Sequence, residues 1–274
     1  MSDSLRLAIG TLTRFPVRPP GQVDRRVARN AMLMAPLIGL LLGVLAAAIV
    51  FGVRELAGPE FLEGAASRLV RRTTLVDLLA AVVAIGALAW ITRGIHLDGL
   101  ADTADGLGAA GDRDARLAAM KDPRMGVFGV VSLVFCLAVQ AVALAASIRV
   151  GHGSLALILA VTTGRLSLTW SCRRGVPAAR TDGLGAMVAG VVPRVGALVA
   201  TVLVVGLAVG YGLLDDDATK RLALVAALSV VAALGATWWL GRIAVREFGG
   251  ITGDVLGAGV ELATAMVLLV LIAA

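Results

Sequence analysis

Three aspartates, Asp98, Asp102 and Asp105, follow one another at intervals of four and three residues in the run His96-Leu97-Asp98-Gly99-Leu100-Ala101-Asp102-Thr103-Ala104-Asp105-Gly106-Leu107. At about 100° per residue these offsets return to one face of a helix. Asp98 and Asp102 then lie about 6 Å apart along the axis, with Asp105 about one turn further on. Like charges on one stripe repel. A divalent cation is the simplest compensation, and carboxylate oxygens suit Mg²⁺, Ca²⁺ or Mn²⁺ rather than zinc. The plainer alternative is a solvated acidic loop or a set of helix-capping aspartates. Position favours the metal. The run follows an apolar stretch ending near Arg93, where a bare charge is costly, and glycines beside two of the acids let a phosphate or backbone approach.

Other residues of the same chemistry lie further along. In Met120-Lys121-Asp122-Pro123-Arg124, two cations bracket an acid. Cations beside carboxylates are what phosphoryl transfer needs, although a basic cluster at a membrane boundary has the same composition. In the run from Phe248 to Glu261, Asp254 and Glu261 are seven residues apart and share a helix face. Gly249, Gly250, Thr252 and Gly253 before them can present backbone N–H groups to an anion at a helix start. Glu261 lies about two turns inside an apolar run, and so does Arg165 in another. Such a pair can bind each other or a ligand. His96, two residues before Asp98, is a proton acceptor or a structural residue. No His or Cys pair has zinc spacing, and no Ser/His/Asp arrangement stands out.

These groups need a membrane scaffold to hold them. Of 274 residues, 58% are hydrophobic and 16% charged, with a mean hydropathy of +0.90. The reading is an all-α polytopic membrane protein, one integral-membrane catalytic domain over residues 1–274, with residues 1–30 at the interface. Leu5 to Phe15 reads as a short amphipathic helix on the membrane surface, ended by Pro16, Pro19 and Pro20. It lacks the apolar core and cleavage site of a signal peptide. Seven spans of bilayer length follow, at 31–53, 74–93, 125–148, 154–171, 195–213, 221–241 and 255–273. The span at 154–171 is the weakest, because it carries Arg165 and several hydroxyls. Seventeen Lys and Arg fall on the side of the N-terminus and seven on the other, Arg54, Arg68, Arg71 and Arg72 among them. This places the N-terminus in the cytoplasm. The three most polar loops, 94–124, 172–194 and 242–254, then share the cytoplasmic side and can build one site. The net charge of +6 sits at span ends, which points to lipid headgroups and anionic substrates rather than nucleic acid. Cys136 and Cys172 predict no disulfide.

The aspartate run, followed by Met120-Lys121-Asp122-Pro123-Arg124-Met125-Gly126, resembles the signature of the cobalamin synthase family, the adenosylcobinamide-GDP ribazoletransferases. Leu12-Thr13-Arg14-Phe15-Pro16-Val17, Pro36-Leu37-Ile38-Gly39 and Gly250-Ile251-Thr252-Gly253-Asp254-Val255-Leu256-Gly257-Ala258 with Glu261 resemble further motifs of that family. Arg165, Arg173 or Arg174, and Gly183-Leu184-Gly185 fit in order. Gly259 departs from the family's usual Asn or Thr nearby. The resemblance implies a Mg²⁺-dependent bacterial inner-membrane enzyme whose site faces the cytoplasm. It would join adenosylcobinamide-GDP to α-ribazole or its 5′-phosphate, releasing GMP. The ribazole 5′-oxygen is expected to attack the phosphorus attached to cobinamide. Asp98, Asp102 and Asp105 are expected as metal ligands, or one of them as general base, with Asp122 and Asp254 completing the coordination. His96 and Lys121 join the catalytic set. Arg14, Arg124, Arg165, Arg173, Thr252, Gly253 and Glu261 are expected to bind substrate. A CDP-alcohol phosphotransferase is the nearest rival. Asp102-Thr103-Ala104-Asp105-Gly106 matches its opening, but the Ala-Arg that should follow is absent. A cation-coupled transporter would need an inverted repeat, and none is visible.

Overall fold

The computed structural model describes residues 1–56, 72–214 and 220–273, and among these every regular element is a helix. They are α1 (Asp3–Leu12), α2 (Arg25–Leu56), α3 (Arg72–Ile91), α4 (Ile95–Gly108), α5 (Arg113–Ala119), α6 (Val127–Arg149), α7 (Gly153–Ser171), α8 (Gly183–Val188), α9 (Arg194–Leu214), α10 (Lys220–Phe248) and α11 (Gly253–Leu271). Arg68 and Arg71 lie outside the described residues.

Each expected span coincides with a helix. By length and apolarity α2, α6, α9, α10 and α11 can each cross a bilayer alone. α3 is 20 residues long, and its stretch from Leu75 to Ile91 passes the same test as a pair with α4, from which it is bent by 89°. The chain is thus a polytopic membrane protein. α7 is less apolar for a physical reason. It packs against α2, α6, α9, α10 and α11, so protein rather than lipid surrounds it. Its hydroxyls are used inside the bundle: Thr162 donates to the Ile158 carbonyl (2.6 Å), and Thr169 to the Met32 carbonyl across to α2 (2.8 Å). Gly39 and Gly43 make that crossing possible. A Cβ on Gly43 would stand 2.8 Å from the Ile158 Cα, and one on Gly39 2.7 Å from the Val161 carbonyl oxygen. The small-residue pair of α2 therefore packs within the chain. Gly206 and Gly210 in α9 face open space.

The N-terminal amphipathic segment is α1, started by the Ser2 hydroxyl, which accepts from the Leu5 N–H. Its buried face, Ser4, Ala8 and Leu12, rests on α2. The Arg14 N–H donates to the Ile91 carbonyl (2.7 Å) and the Arg93 guanidinium to the Gly10 carbonyl (2.7 Å). α1 is thereby fastened to the end of α3, where the chain turns toward the aspartates. Cys136 and Cys172 are both free.

Candidate active site

The turn out of α3 uses two left-handed residues, Arg93 (φ 58°) and Gly94 (φ 67°). The second is glycine, which takes this conformation without strain. α4 therefore leaves α3 almost at a right angle and runs across the end of the bundle, where it packs on α11 and α6. The polar run expected as a loop is largely this helix. Gly99 sets its height. A Cβ there would stand 2.6 Å from the Asp254 carbonyl oxygen, so only glycine lets α4 rest on the start of α11.

The loop between α7 and α9 is brought to the same place by backbone bonds. The Ile251 N–H donates to the Pro177 carbonyl (2.9 Å), and the Ala179 N–H to the Ile251 carbonyl (2.9 Å). The Arg113 guanidinium donates to the Ala179 carbonyl (2.6 Å), tying α5 in. Thr252 caps α11: its hydroxyl accepts from the Val255 N–H (3.2 Å) and donates to Asp254 (3.2 Å).

These elements enclose a cavity of about 400 Å³. Asp98, Asp182 and Asp254 line it with Lys121 and Arg180, and Thr252 and Gly253 form part of its wall. Four stretches separate in sequence thus put carboxylates opposite cations. Asp102 stands beside this group on α4. Burial first, then the charges of Asp98, Asp254 and Asp105, push its carboxyl up to about 6, against the pull of Arg180. A cation among these carboxylates would relieve that repulsion.

Asp105 has a different neighbourhood. Its carboxylate accepts the N–H groups of Gly126 (2.7 Å) and Gly129 (2.8 Å) at the start of α6. Asp122 and Arg124 pair with each other through two side-chain bonds (3.1 and 3.0 Å) at an exposed turn outside the cavity lining. That pairing lowers the Asp122 carboxyl below its ordinary value. His96, in the first turn of α4, is buried, with its Nδ1 3.4 Å from the Arg165 guanidinium. Arginine only donates, so Nδ1 accepts and the proton sits on Nε2. Burial, and then the Arg165 charge, hold His96 well below its usual value, and the ring is neutral. Glu261 accepts from the Gln140 amide (2.8 Å), and no direct ion pair joins it to Arg165 among the described residues. Arg14 stacks on Trp90 at 3.6 Å from the ring centre, on the α1 side. Arg173 lines a separate cavity with Arg242 and Arg246.

Among the described residues no three His, Cys, Asp or Glu side chains gather closely enough to hold a metal ion by themselves. The donors nevertheless fit Mg²⁺, which is commonly held by one or two carboxylates together with water and substrate phosphate oxygens. Asp98 and Asp254, with Asp102 behind them, are the groups that could do this. Sequence reasoning gave no site role to Arg180 and Asp182. Their signal is an Arg-x-Asp-Gly-x-Gly stretch in a polar loop on the same side as the acids.

Residues 4–272 match the family model described as Cobalamin-5-phosphate synthase. The chain belongs to the cobalamin-5-phosphate synthase family. It is 41% identical to the adenosylcobinamide-GDP ribazoletransferase of Frankia casuarinae over 97% of this chain and 93% of that one. It is 43% identical to the Nocardioides sp. protein of the same name, over 98% of each chain. The Pseudomonas savastanoi pv. phaseolicola protein of that name is 35% identical over 97% of each. No solved structure matches this chain.

Proposed function

We propose that this protein is an adenosylcobinamide-GDP ribazoletransferase. It would join adenosylcobinamide-GDP to α-ribazole or α-ribazole 5′-phosphate, giving adenosylcobalamin or its 5′-phosphate and GMP. The cavity that sets Asp98 and Asp254 against Lys121 and Arg180 carries the reading, because a pyrophosphate displacement needs acids and cations side by side. Family membership and the names of the relatives agree with it.

In this reading Lys121 and Arg180 take the pyrophosphate oxygens and orient the phosphorus attached to cobinamide. A 5′-phosphorylated acceptor has no free 5′-hydroxyl, so the expectation of 5′-oxygen attack gives way to another ribose hydroxyl. That oxygen bonds to phosphorus, the bond to the GMP oxygen breaks, and the hydroxyl proton passes to a carboxylate of the α4 face. Mg²⁺, when bound by Asp98 and Asp254, would spread the charge that develops on the phosphate oxygens. Asp105, His96 and Arg165 act from outside the cavity, by holding α4 against α6 and α7. The Lys and Arg bias of the loops supports a site facing the cytoplasm of a bacterial inner membrane.

The test uses purified full-length protein in lipid with adenosylcobinamide-GDP, either acceptor, and Mg²⁺ or chelator. We expect GMP and the corrinoid product in equal amounts, only with Mg²⁺. Folded protein that yields neither product with either acceptor would overturn the reading, and CDP-linked lipids would be tried next.

A further inference from the structure

The loop between α7 and α9 has a second cavity on its other side. Ile251 lines both cavities, so a single residue's width separates them. The second has a volume of about 370 Å³ and is walled by Arg173, Arg242 and Arg246 beside Val176, Pro177 and Val245. No acid is among the described residues that line it. Arg194 adds a further charge: its guanidinium would stand 3.7 Å from a Cβ on Gly175, another wall residue. Arg246 is drawn off by Glu247 (3.2 Å). The others have no acid partner among the described residues. Arg173 donates to the Trp170 carbonyl (2.8 Å) and lies over that indole, and Arg242 lies over Trp238. Burial first, and then the nearby Arg194 charge, lower Arg173 from its ordinary value.

The position is equally specific. Arg173 lies two residues past the end of α7 and Arg242 directly follows the expected end of the α10 span. Trp238 and Trp239 are exposed beside them, as aromatic residues are at the headgroup level of a bilayer. A pocket of unpaired guanidinium groups with apolar walls at that level suits a phosphate carried on an apolar or aromatic body.

We propose that this second cavity is a phosphate-binding site, in which Arg173 and Arg242 hold the phosphate of an anionic ligand. The ligand is a phospholipid headgroup or a free phosphate ester. The site is separate from the carboxylate cavity and does not depend on the transferase reading.

Trp170 and Trp238 provide the readout, since each lies under one of the two arginines. The full chain in detergent is titrated with short-chain phosphatidylglycerol in one arm and GDP in the other, following tryptophan emission. We expect saturable titration by at least one of them. Phosphatidylglycerol alone would identify a lipid site, and GDP alone a free-ester site. For that ligand, Arg173→Gln/Arg242→Gln should need about tenfold more, while Arg26→Gln at the exposed start of α2 should titrate as wild type. Circular dichroism checks folding. If the double variant does not fold, Arg242→Gln is compared with Arg242→Lys, and only the lysine variant should keep binding. No titration of the wild type, equal titration of the arginine-cavity variant, or an equal loss in Arg26→Gln would each overturn the proposal. Catalysis is not read, so this outcome and that of the transferase assay are independent.

Discussion

Asp105 accepts the backbone N–H of Gly129 at 2.8 Å and that of Gly126 at 2.7 Å, which makes it the cap of α6. Its stripe neighbour Asp98 is exposed and lines the cavity. Two aspartates on one helix face therefore do different work. Asp105→Asn should cost about 1–2 kcal/mol of stability, because one of two charge-assisted bonds to a helix start is lost. Asp98→Asn should leave stability nearly unchanged and lower kcat by about a thousandfold, the scale seen when one preorganised electrostatic group at a reacting centre is removed. Thermal unfolding in detergent, alongside GMP release, separates the two. A cold-stable Asp105→Asn with no activity would mean that Asp105 meets the substrate directly.

The raised carboxyl of Asp102 gives a dependence on pH with a definite sign. Its folded value is about 6 and its ordinary value 3.8. The folded protein binds this proton more tightly than the unfolded chain does. Stability from it is complete below the ordinary value and is lost as pH rises through about 6. In chelator, the melting temperature of wild type should fall over that window. Asp102→Asn carries no charge to repel, so its profile should be flatter and its neutral-pH melting temperature higher. Mg²⁺ should raise the wild type only on the alkaline side of the window, and the variant should be inactive. Superimposable profiles in chelator would refute the repulsion.

The sequence made some of this legible and not the rest, for physical reasons. Periodicity and apolar length located the helices that became α2, α3, α6, α7, α9, α10 and α11, because burial in lipid writes itself into hydropathy. The helical angle of Asp98, Asp102 and Asp105 was equally readable. What packs against that face was not: Gly126 and Gly129 reach Asp105 from another helix. Arg165 and Glu261 looked like partners because both are buried charges. In the fold, Gln140 takes the carboxylate and His96 meets the guanidinium. Arg180 lies in a stretch without periodicity, and bonds made in the fold, those between Pro177, Ala179 and Ile251 and its own to the Leu117 carbonyl, bring it to the acids.

Gly99 is a tight point of the site's frame. A Cβ there meets the Asp254 carbonyl oxygen at 2.6 Å and its Cα at 3.0 Å, both backbone atoms that cannot swing away. Gly99→Ala should cost about 1–3 kcal/mol by overpacking, and it should shift α4 from α11. Misplacing Asp98 relative to Asp254 should lower kcat by about a hundredfold. Gly206→Ala is the matched control. Nothing lies within 4 Å of its added Cβ, and helical alanine is favoured over glycine. It should be as stable as wild type or more so, with full activity. Equal behaviour of the two variants would remove Gly99 from the argument.

Two arginines that each lie two residues from an aspartate should separate sharply in kinetics. Arg180 lines the carboxylate cavity, is held there by donating to the Leu117 carbonyl (2.7 Å), and opposes the repulsion around Asp102. Arg124 is exposed and both of its side-chain bonds go to Asp122. An exposed ion pair contributes little, about 0–1 kcal/mol, and Arg124 has no geometric claim on a phosphate in that cavity. Arg180→Gln should therefore lower kcat/KM for adenosylcobinamide-GDP by about a hundredfold, while Arg124→Gln should stay within about threefold of wild type. Arg180→Lys should recover part of the loss, since the charge returns without the planar fork. A larger loss at Arg124 than at Arg180 would show that the turn before α6 closes over the substrate, and would move the phosphate contacts to that turn.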